Sequence, residues 1–334
     1  IEVTSEGILQ HRHRFLNFHT AVFTNLSPEH IERHGSFENY KRTKGKLFQI
    51  TKKIHVINAD SEHASYFLQF PAEQKYLYST KTAQSSMLHS IILHAENIKT
   101  TNQGISFTMG GTTIQLKLLG EFNVSNALAA MAVAKNLGVS LEISKKALEK
   151  MEVVPGRMEV VVSEPFRVVV DYAFTPAALE KVYQALKPQF LISNDQSNPN
   201  VKNPKLICVL GAAGGGRDKW KRPVLGKLAG TYCDKIIVTD EDPYEENRVE
   251  IIEQVASGAE SIRINQQYPH KSAVLKILDR REAIAQALSL ARSGDTVIIT
   301  GKGCEDSIAV KGGKRMPWDD REVVREEMDK IKEL

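Results

Sequence analysis

The second half of this sequence alternates short β-branched segments with helical patterns, and this alternation limits the folds open to the chain. Four segments have strand character: Arg167–Ala173, Leu206–Gly211, Lys235–Asp240 and Asp295–Gly301. Apolar residues between them recur at i, i+3, i+4 and i+7, in the sets Leu179, Val182, Tyr183, Leu186 and Ile284, Ala287, Leu288, Ala291. The pattern predicts an α/β fold with a doubly wound, mainly parallel sheet, and ligands at the carboxyl ends of its strands.

The first half of the sequence is less regular. One helix is predicted by the buried-face spacing of Val124, Leu128, Met131 and Ala132, and residues 50–119 are rich in strand character. Ile1 and Val3 resemble the end of a strand that runs into a polar turn. The motif VVPGR, Val153–Arg157, interrupts the pattern, so we expect two domains, 1–154 and 155–334. The polar stretch Ser193–Pro204 predicts a surface loop in the second domain.

Length and composition support two ordinary globular domains. A chain of 334 residues with 42% hydrophobic and 25% charged residues is long enough for about two domains of ~150 residues, each with its own core. No apolar run approaches the ~18 residues of a membrane span. The net charge of +4 suits a small anionic substrate and gives no reason to expect a nucleic-acid partner or membrane insertion.

The cysteine pattern predicts neither a disulfide framework nor a zinc site. Cys208, Cys233 and Cys304 are odd in number and scattered, and no CxxC motif is present. This usage is typical of a reducing compartment, so we expect a cytoplasmic protein.

The turns that follow the predicted strands concentrate glycine and charge. Gly211–Pro223, with the sequence GAAGGGRDKWKRP, lets the backbone approach a ligand closely and carries four cations, but it lacks the GxxxxGK[ST] pattern of a P-loop. A solvated basic loop is the alternative. Thr239–Asn247 gathers five acids; capping of a following helix explains Glu245 and Glu246 better than Glu241 and Asp242. Taken alone, the Gly-Lys-Gly of residues 301–303 is weak evidence.

One turn of the first half carries groups that bind metals in other proteins. The segment Thr24–Gly35 follows the predicted strand TAVF and contains Glu29, His30 and His34. Two histidines four residues apart are more often surface residues than metal ligands. Nothing local distinguishes Lys44 from the other lysines.

Taken together and in order, these motifs resemble the ATP-dependent Mur ligases and, within that family, the UDP-N-acetylmuramoyl-tripeptide synthetases. The resemblance covers nearly the whole chain through eight segments: IEVTSEGILQHR, VFTNLSPEHIERHGSFENYKRTKGKLF, GEFNVSNALAA, VPGRMEVV, VVVDYAFTP, GAAGGGRDKWKRP, TDEDPYEEN and ITGKGCED.

The resemblance implies a domain organisation. Mur ligases have an N-terminal domain for the uridine nucleotide, a central ATPase domain and a C-terminal Rossmann-like domain. The family's P-loop precedes the segment that Ile1–Gly7 resembles, and this sequence has no such loop. We therefore expect the later part of a central domain, 1–154, followed by a C-terminal domain, 155–334. We also expect the chain alone to be inactive as an ATPase or ligase.

The resemblance also implies the reaction. ATP activates a carboxylate of the UDP-N-acetylmuramoyl dipeptide as an acyl phosphate, and the amine of an incoming diamino acid, L-lysine or meso-diaminopimelate, attacks it. The reactants are anionic, so positioning and charge neutralisation by Mg²⁺ and cationic side chains are expected to dominate catalysis.

Residue roles follow from the same resemblance, position by position. Glu2, His30 and Lys44 match catalytic and Mg²⁺-binding positions, with Lys44 at the family's carbamylated lysine. Muramoyl-dipeptide contacts match Thr4, Gln10 and Arg12. Nucleotide contacts match Asn123, Asn126, Arg157 and Asp171. The positions that hold the incoming amino acid match Arg217, Glu241, Asp242, Gly301 and Glu305.

Several positions depart from the family pattern. Glu29 stands where Asp is usual, and Phe174 and Cys304 stand where His is common. Tyr244 replaces an Arg that diaminopimelate-adding members carry, and an acid, Asp242, replaces an amide. Because a second carboxylate facing these acids would be repelled, the sequence favours lysine over meso-diaminopimelate.

Two rival interpretations stay open on the sequence alone. One is another enzyme of the superfamily, such as a folylpolyglutamate synthase or a different Mur step. The other is a non-catalytic partner subunit that lacks its own P-loop. The motifs FTNLSPEHIERHG and GGGRDKWKRP favour the tripeptide step.

Overall fold

The computed structural model describes residues 1–81, 91–187, 204–265 and 273–332. The chain forms two compact units, Ile1–Glu152 and Val153–Leu334. In the described part of the chain, no helix is long and apolar enough to cross a membrane. The assignment of domains on either side of residue 154 stays a prediction, and the predicted loop 193–204 lies outside the described residues except for Pro204.

A four-stranded parallel sheet forms the centre of the first unit. Its strands pair in chain order: β1 Thr20–Phe23, β2 Ile54–Asn58, β3 Gln74–Ser79 and β4 Ile91–His94. β2 is buried along most of its length, as a strand covered on both faces must be. A separate antiparallel sheet consists of β5 Glu96–Thr101, β6 Gly104–Met109 and β7 Thr112–Leu116. These strands confirm the predicted strand character of this region.

The helices of the first unit pack on these sheets or on one another. They are α1 Ser5–Leu9, α2 Ile31–His34, α3 Phe37–Ile50, α4 Ala64–Leu68, α5 Phe122–Asn136 and α6 Leu141–Lys150. The residues that predicted α5 are all buried: Val124, Leu128, Met131 and Ala132.

The prediction of a strand end and polar turn at the start of the chain is wrong. Residues 1–4 have no regular secondary structure, and a helix begins at Ser5. The Thr4 side chain caps this helix by accepting a hydrogen bond from the Gly7 amide. A local cap thus outweighs the β-branched residues that suggested a strand.

The second unit contains a six-stranded sheet in the order β12-β11-β10-β13-β9-β8. The strands are β8 Glu159–Val162, β9 Arg167–Asp171, β10 Leu206–Leu210, β11 Lys235–Val238, β12 Val274–Lys276 and β13 Thr296–Thr300. All neighbours are parallel except β8, which is antiparallel to β9. This confirms the predicted mainly parallel sheet, and the four segments with strand character all lie in it.

Helices and one hairpin complete the second unit. The helices are α7 Pro176–Leu186, α8 Lys221–Tyr232, α9 Arg248–Asn265, α10 Arg280–Leu290 and α11 Asp320–Lys332. The hairpin, β14 Ser307–Val310 and β15 Lys314–Pro317, follows β13. Both predicted helical faces are confirmed by α7 and α10, although α10 ends one residue before Ala291.

The prediction of no disulfide is wrong. Cys208 in β10 and Cys233 after α8 are joined by a disulfide, and both are buried; Cys304 is free and exposed. A strand, a helix and the turn between them bring the two Cα atoms within 6.1 Å, although 25 positions separate the residues in sequence. The spacing of the cysteines in the sequence therefore did not indicate which of them pair. Because a disulfide is present, the cysteines no longer support a reducing compartment.

Candidate active site

A cleft of about 160 Å³ lies over the carboxyl ends of β9, β10, β11 and β13 in the second unit. Its lining residues are Tyr172, Phe174, Ala213, Arg217, Lys221, Glu241, Asp242, Tyr244, Gly301, Glu305 and Arg315. All five residues predicted to hold an incoming amino acid are among them. They converge because parallel strands end at the same edge of the sheet, where open α/β sheets bind ligands.

The glycine loop, residues 211–220, packs against the acidic loop, residues 239–247. A Cβ on Gly214 would lie 2.3 Å from the Pro243 carbonyl oxygen, and one on Gly215 would lie 2.5 Å from the Tyr244 ring. The Gly214 amide donates to the Asp242 carbonyl at 2.7 Å. These glycines therefore permit close packing of two loops, and this Gly214 amide is used within the protein rather than on a phosphate.

The basic residues of this segment divide between cleft and core. Arg217 and Lys221 line the cleft. Arg222 is 1% exposed and donates to the Ala213 carbonyl, to Glu246 and to Gln254. The description of this segment as a solvated basic loop therefore does not fit Lys221 or Arg222.

The acidic loop places one fully buried carboxyl in the cleft. Burial of Glu241 raises its pKa to about 7, and the nearby Arg280 and Lys221 cations lower it in part. The neighbouring Asp242 carboxylate is instead hydrogen-bonded: Lys302 donates to both of its oxygens at 2.9 Å, and the Ala309 amide donates to one at 2.7 Å.

Capping does not explain Glu245 and Glu246, contrary to the alternative interpretation of this loop. Asn247 accepts hydrogen bonds from the amides of Val249 and Glu250 at the start of α9. Glu245 instead accepts from the Gly312 amide of the hairpin, and Glu246 pairs with Arg222. The two acids therefore fix neighbouring segments around the cleft.

Lys302 is the centre of a charge network that the sequence did not reveal. Its ammonium is 1% exposed and pairs with both Asp242 and Glu305, and the Tyr172 hydroxyl donates to the other Glu305 oxygen at 2.9 Å. The Gly-Lys-Gly turn, weak as a motif, thus supplies one cation that is shared by two acids of the cleft. The premise that Asp242 presents an uncompensated charge to a substrate carboxylate is wrong.

A buried guanidinium fastens the strand ends that carry the cleft. Arg280 makes a bidentate ion pair with Asp320, at 2.8 and 2.7 Å, and both side chains are almost fully inaccessible. Its remaining N–H groups donate to the carbonyls of Asp240 at 3.0 Å and Thr300 at 2.9 Å. The residues that follow these carbonyls, Glu241 and Gly301, both line the cleft.

Arg157 and Asp171, predicted nucleotide contacts, lie beside the cleft. The Asp171 carboxylate accepts one hydrogen bond from the Met158 amide and one from the Ala173 amide, each at 2.7 Å, and burial raises its pKa. The Arg157 guanidinium stacks on the Tyr172 ring at 4.3 Å. Phe174, in place of the expected His, lies under the Lys221 ammonium at 5.0 Å.

In the first unit, Lys44 has an unusual environment. Its ammonium donates to the Val3 carbonyl at 3.2 Å, and burial lowers its pKa, while the Glu2 carboxylate acts in the opposite direction. Of the predicted dipeptide contacts, Thr4 caps α1, and Gln10 and Arg12 are exposed at the end of that helix. Lys44 and these residues lie on neighbouring segments of one unit.

The assignment of Glu2, His30 and Lys44 as metal ligands stays a prediction. His30 has a left-handed backbone conformation, and its Nδ1 lies 3.8 Å from a Glu6 carboxylate oxygen. His34 is buried, and its Nε2 forms a hydrogen bond with the Ser5 hydroxyl. Across residues 1–81, 91–187, 204–265 and 273–332, no three His, Cys, Asp or Glu side chains form a group that could hold a metal ion. Glu2 and His30 supply two donors at most, and Lys44 would have to supply the third.

Asn123 and Asn126, the remaining predicted nucleotide contacts, lie near the start of α5. The Asn123 side chain donates to the Leu119 carbonyl at 2.7 Å and accepts from Asn126 at 3.0 Å. Their roles stay predictions.

Comparison with known proteins accounts for most of the chain. The Mur ligase middle domain matches residues 1–134, and the Mur ligase glutamate ligase domain matches residues 156–303. This chain belongs to the Mur ligase family. Members of this family are ATP-dependent ligases.

Individual relatives extend the match to nearly the whole chain. A UDP-N-acetylmuramyl-tripeptide synthetase of Roseiflexus sp. (strain RS-1) is 38% identical over 96% of this Mur ligase chain. A UDP-N-acetylmuramoyl-L-alanyl-D-glutamate–2,6-diaminopimelate ligase of Caldanaerobacter subterraneus subsp. tengcongensis is 38% identical over 98% of it. The chain spans 62% of the length of each of these two relatives.

Solved structures agree with the Mur ligase assignment. The structure of a UDP-N-acetylmuramoyl-L-alanyl-D-glutamate–2,6-diaminopimelate ligase matches 99% of this chain and 64% of its own, with 30% identity and a TM-score of 0.57. A MurF ligase from Thermotoga maritima in complex with ADP matches 98% of this chain and 66% of its own, with 18% identity and a TM-score of 0.65. The second likeness concerns the fold alone.

Proposed function

We propose that this Mur ligase chain is part of an enzyme that joins a diamino acid to UDP-N-acetylmuramoyl-L-alanyl-D-glutamate at the expense of ATP, in peptidoglycan synthesis. The observation that carries the proposal is the cleft. The five residues predicted to hold the incoming amino acid line this one cavity at the strand ends: Arg217, Glu241, Asp242, Gly301 and Glu305. The relatives, which are named as tripeptide synthetases and diaminopimelate ligases, support it.

In this reaction the dipeptide carboxylate takes the γ-phosphoryl group of ATP and becomes an acyl phosphate. The substrate amine then attacks the acyl carbon, loses a proton and displaces phosphate, so that the products are the amide, ADP and inorganic phosphate. In the cleft, Glu241 and Glu305 offer negative charge to the ammonium groups of the amino acid, and Arg217 offers a guanidinium to a carboxylate. The cleft therefore fixes the orientation in which the amino acid binds.

The cofactors of the proposed reaction are ATP and Mg²⁺. We assign Asn123, Asn126, Arg157 and Asp171 to the nucleotide. Mg²⁺ would stabilise negative charge on the phosphates when bound. Glu2 and His30 would contribute donors to it, and the partly buried Lys44, whose pKa is lowered, would contribute one after carbamylation. These three residues fit the ion only in part, since Glu2 and His30 provide two donors without Lys44.

The remaining substrate contacts follow the sequence assignment. Thr4, Gln10 and Arg12 would contact the muramoyl dipeptide. Because ATP and a UDP-linked substrate are required, we propose a cytoplasmic location.

Among diamino acids, we propose meso-diaminopimelate. The sequence favours lysine only if these acids lack a partner, but Lys302 pairs with both Asp242 and Glu305, and Arg315 adds a further cation to the cleft. A zwitterion with two carboxylates and two ammonium groups matches a lining that mixes both signs of charge.

Calorimetric titration of the chain with single amino acids tests the proposal. Saturable binding of meso-diaminopimelate, weakened on the order of 10-fold or more by Glu305→Gln, is expected. The matched control is Glu326→Gln, an acid of α11 that pairs with Arg281 outside the cleft. Preferential binding of L-glutamate would instead indicate a folylpolyglutamate-type ligase, and binding of no amino acid would contradict the proposal.

A further inference from the structure

The hairpin Ser307–Pro317 is fixed to the acidic loop by backbone contacts. The Ala309 amide donates to the Asp242 carboxylate at 2.7 Å, and the Ala309 carbonyl accepts from the Tyr244 amide at 3.1 Å. The Gly312 amide at the hairpin tip donates to Glu245 at 2.7 Å. The hairpin is therefore held in a definite position against the loop that carries Glu241.

Strand register places Arg315 next to this contact. Ala309 and Arg315 are directly opposite each other in the antiparallel pair. Because the Ala309 amide is used by Asp242, this is a non-hydrogen-bonded pair, in which the Cα atoms are about 4.5 Å apart. The side chain of Arg315 lines the cleft, and its Nη1 donates to the Ser307 hydroxyl at 3.2 Å.

The charges of the cleft leave two guanidinium groups available to a ligand. Lys302 pairs with both Asp242 and Glu305. In the part of the chain that the structure describes, neither Arg217 nor Arg315 makes an ion pair with a carboxylate. Arg217 comes from the glycine loop after β10 and Arg315 from the hairpin after β13, so a ligand in the cleft meets guanidinium groups from two separate segments.

We propose that Arg315 is a specificity-determining residue that binds the second carboxylate of a diamino dicarboxylic acid, the group that lysine lacks. This inference rests on the proposed function of the cleft. Arg217 binds the carboxylate that both amino acids share. A planar guanidinium can hold a carboxylate through two parallel hydrogen bonds, and this geometry favours a dicarboxylate over its decarboxylated counterpart. The hairpin thereby supplies a cation next to the acidic loop, in which Tyr244 stands at the position where diaminopimelate-adding members carry Arg.

The test uses two ligands that differ by a single carboxylate, meso-diaminopimelate and L-lysine. Dissociation constants for both are measured by calorimetry on the 334-residue chain and on Arg315→Ala, Arg315→Lys and Lys314→Ala. Lys314→Ala is the matched control, because it removes one positive charge from the adjacent position of the same strand and Lys314 does not line the cleft. Arg315 is exposed, so its replacement is not expected to unfold the unit.

Arg315→Ala is expected to weaken the binding of meso-diaminopimelate on the order of 30-fold and to change the dissociation constant of lysine by less than about 3-fold. Arg315→Lys is expected to recover part of the lost affinity. Lys314→Ala is expected to leave the ratio of the two constants unchanged. If Arg315→Ala lost the same affinity for both ligands, or lost no affinity for meso-diaminopimelate, the role of Arg315 would be overturned and the proposed function would remain intact. If the unaltered chain bound neither ligand, the proposed function would fail and the inference with it.

Discussion

The two units differ in how their candidate residues come together. In the second unit, side chains from four strand ends meet in one cleft, and buried ion pairs hold them there. In the first unit, the candidate metal ligands Glu2, His30 and Lys44 come from the irregular start of the chain, the residue before α2 and the middle of α3. There the structure shows one partly buried lysine near a carboxylate, Lys44 near Glu2.

Sheet topology explains this difference. The described strands of the first unit pair in chain order, β1-β2-β3-β4. In the second unit β13 inserts between β10 and β9, so the strand order reverses and the loops on either side diverge. A reversal of this kind opens a crevice at the carboxyl edge of a parallel sheet. The fold itself thus provides a site in the second unit, whereas the site in the first unit depends on individual side chains.

Replacement of Asp320 should give the largest effect, since it tests whether buried charge holds the second unit together. Asp320→Ala leaves the Arg280 guanidinium buried without its carboxylate and should lower the free energy of unfolding by about 3–5 kcal/mol. Urea denaturation followed by tryptophan fluorescence reports on this unit specifically, because both tryptophans, Trp220 and Trp318, belong to it.

The control for that measurement is Asp329→Ala, which removes an exposed acid of the same helix that pairs with Lys332 and should cost less than about 1 kcal/mol. If Asp320→Ala were as mild as this control, the ion pair would not be what fastens the strand ends.

Glu241→Gln should alter the pH dependence of stability. The folded carboxyl has a pKa of about 7, above its ordinary value of 4.5. Between these values the folded state keeps a proton that the unfolded state has lost, so stability falls as pH rises through this window. Glutamine does not titrate, so the variant should gain stability relative to the unaltered protein across the same window, by up to ~3 kcal/mol.

Urea midpoints at intervals from pH 4.5 to 7.5 measure this difference, with the exposed Glu326→Gln as a control for the change in net charge. A stability difference that is independent of pH would show that Glu241 is ionised throughout this range and that burial does not raise its pKa.

The smallest effect is expected at Lys44, in the first unit. Carbon-13 NMR of labelled lysine, assigned with Lys44→Arg, should find the pKa of this ammonium below 10.5. Glu2→Gln should lower the pKa further, because the Glu2 carboxylate raises it in the unaltered protein. A normal pKa that does not respond to Glu2 would reduce Lys44 to a surface lysine and remove the main support for a site in this unit.

The parts of the fold that were predictable depend on local pattern. The strands around Val169, Cys208, Ile237 and Ile298 are rich in β-branched and apolar residues, and the faces of α5, α7 and α10 repeat with helical spacing. The start of helix α1 at Ser5 was not predicted, because it depends on a single side chain: the Thr4 hydroxyl accepts a hydrogen bond from the Gly7 amide.

The parts of the site that were not predictable depend on contacts between distant positions. Arg280 and Asp320 are 40 residues apart, and Lys302 reaches Asp242 across 60. Arg315 enters the cleft only because the hairpin register sets it opposite Ala309. The family resemblance supplied Arg217, Glu241, Asp242, Gly301 and Glu305, but nothing in the sequence indicated which cations neutralise the acids among them.

A crystal structure of the chain soaked with meso-diaminopimelate tests the central claim most directly. We predict that the amino acid lies in the cleft at the carboxyl ends of β9, β10, β11 and β13, with one carboxylate within hydrogen-bonding distance of Arg217 and the other of Arg315. A cleft that stays empty at saturating ligand, or an amino acid bound elsewhere in either unit, would contradict the assignment of this cleft as the amino-acid site.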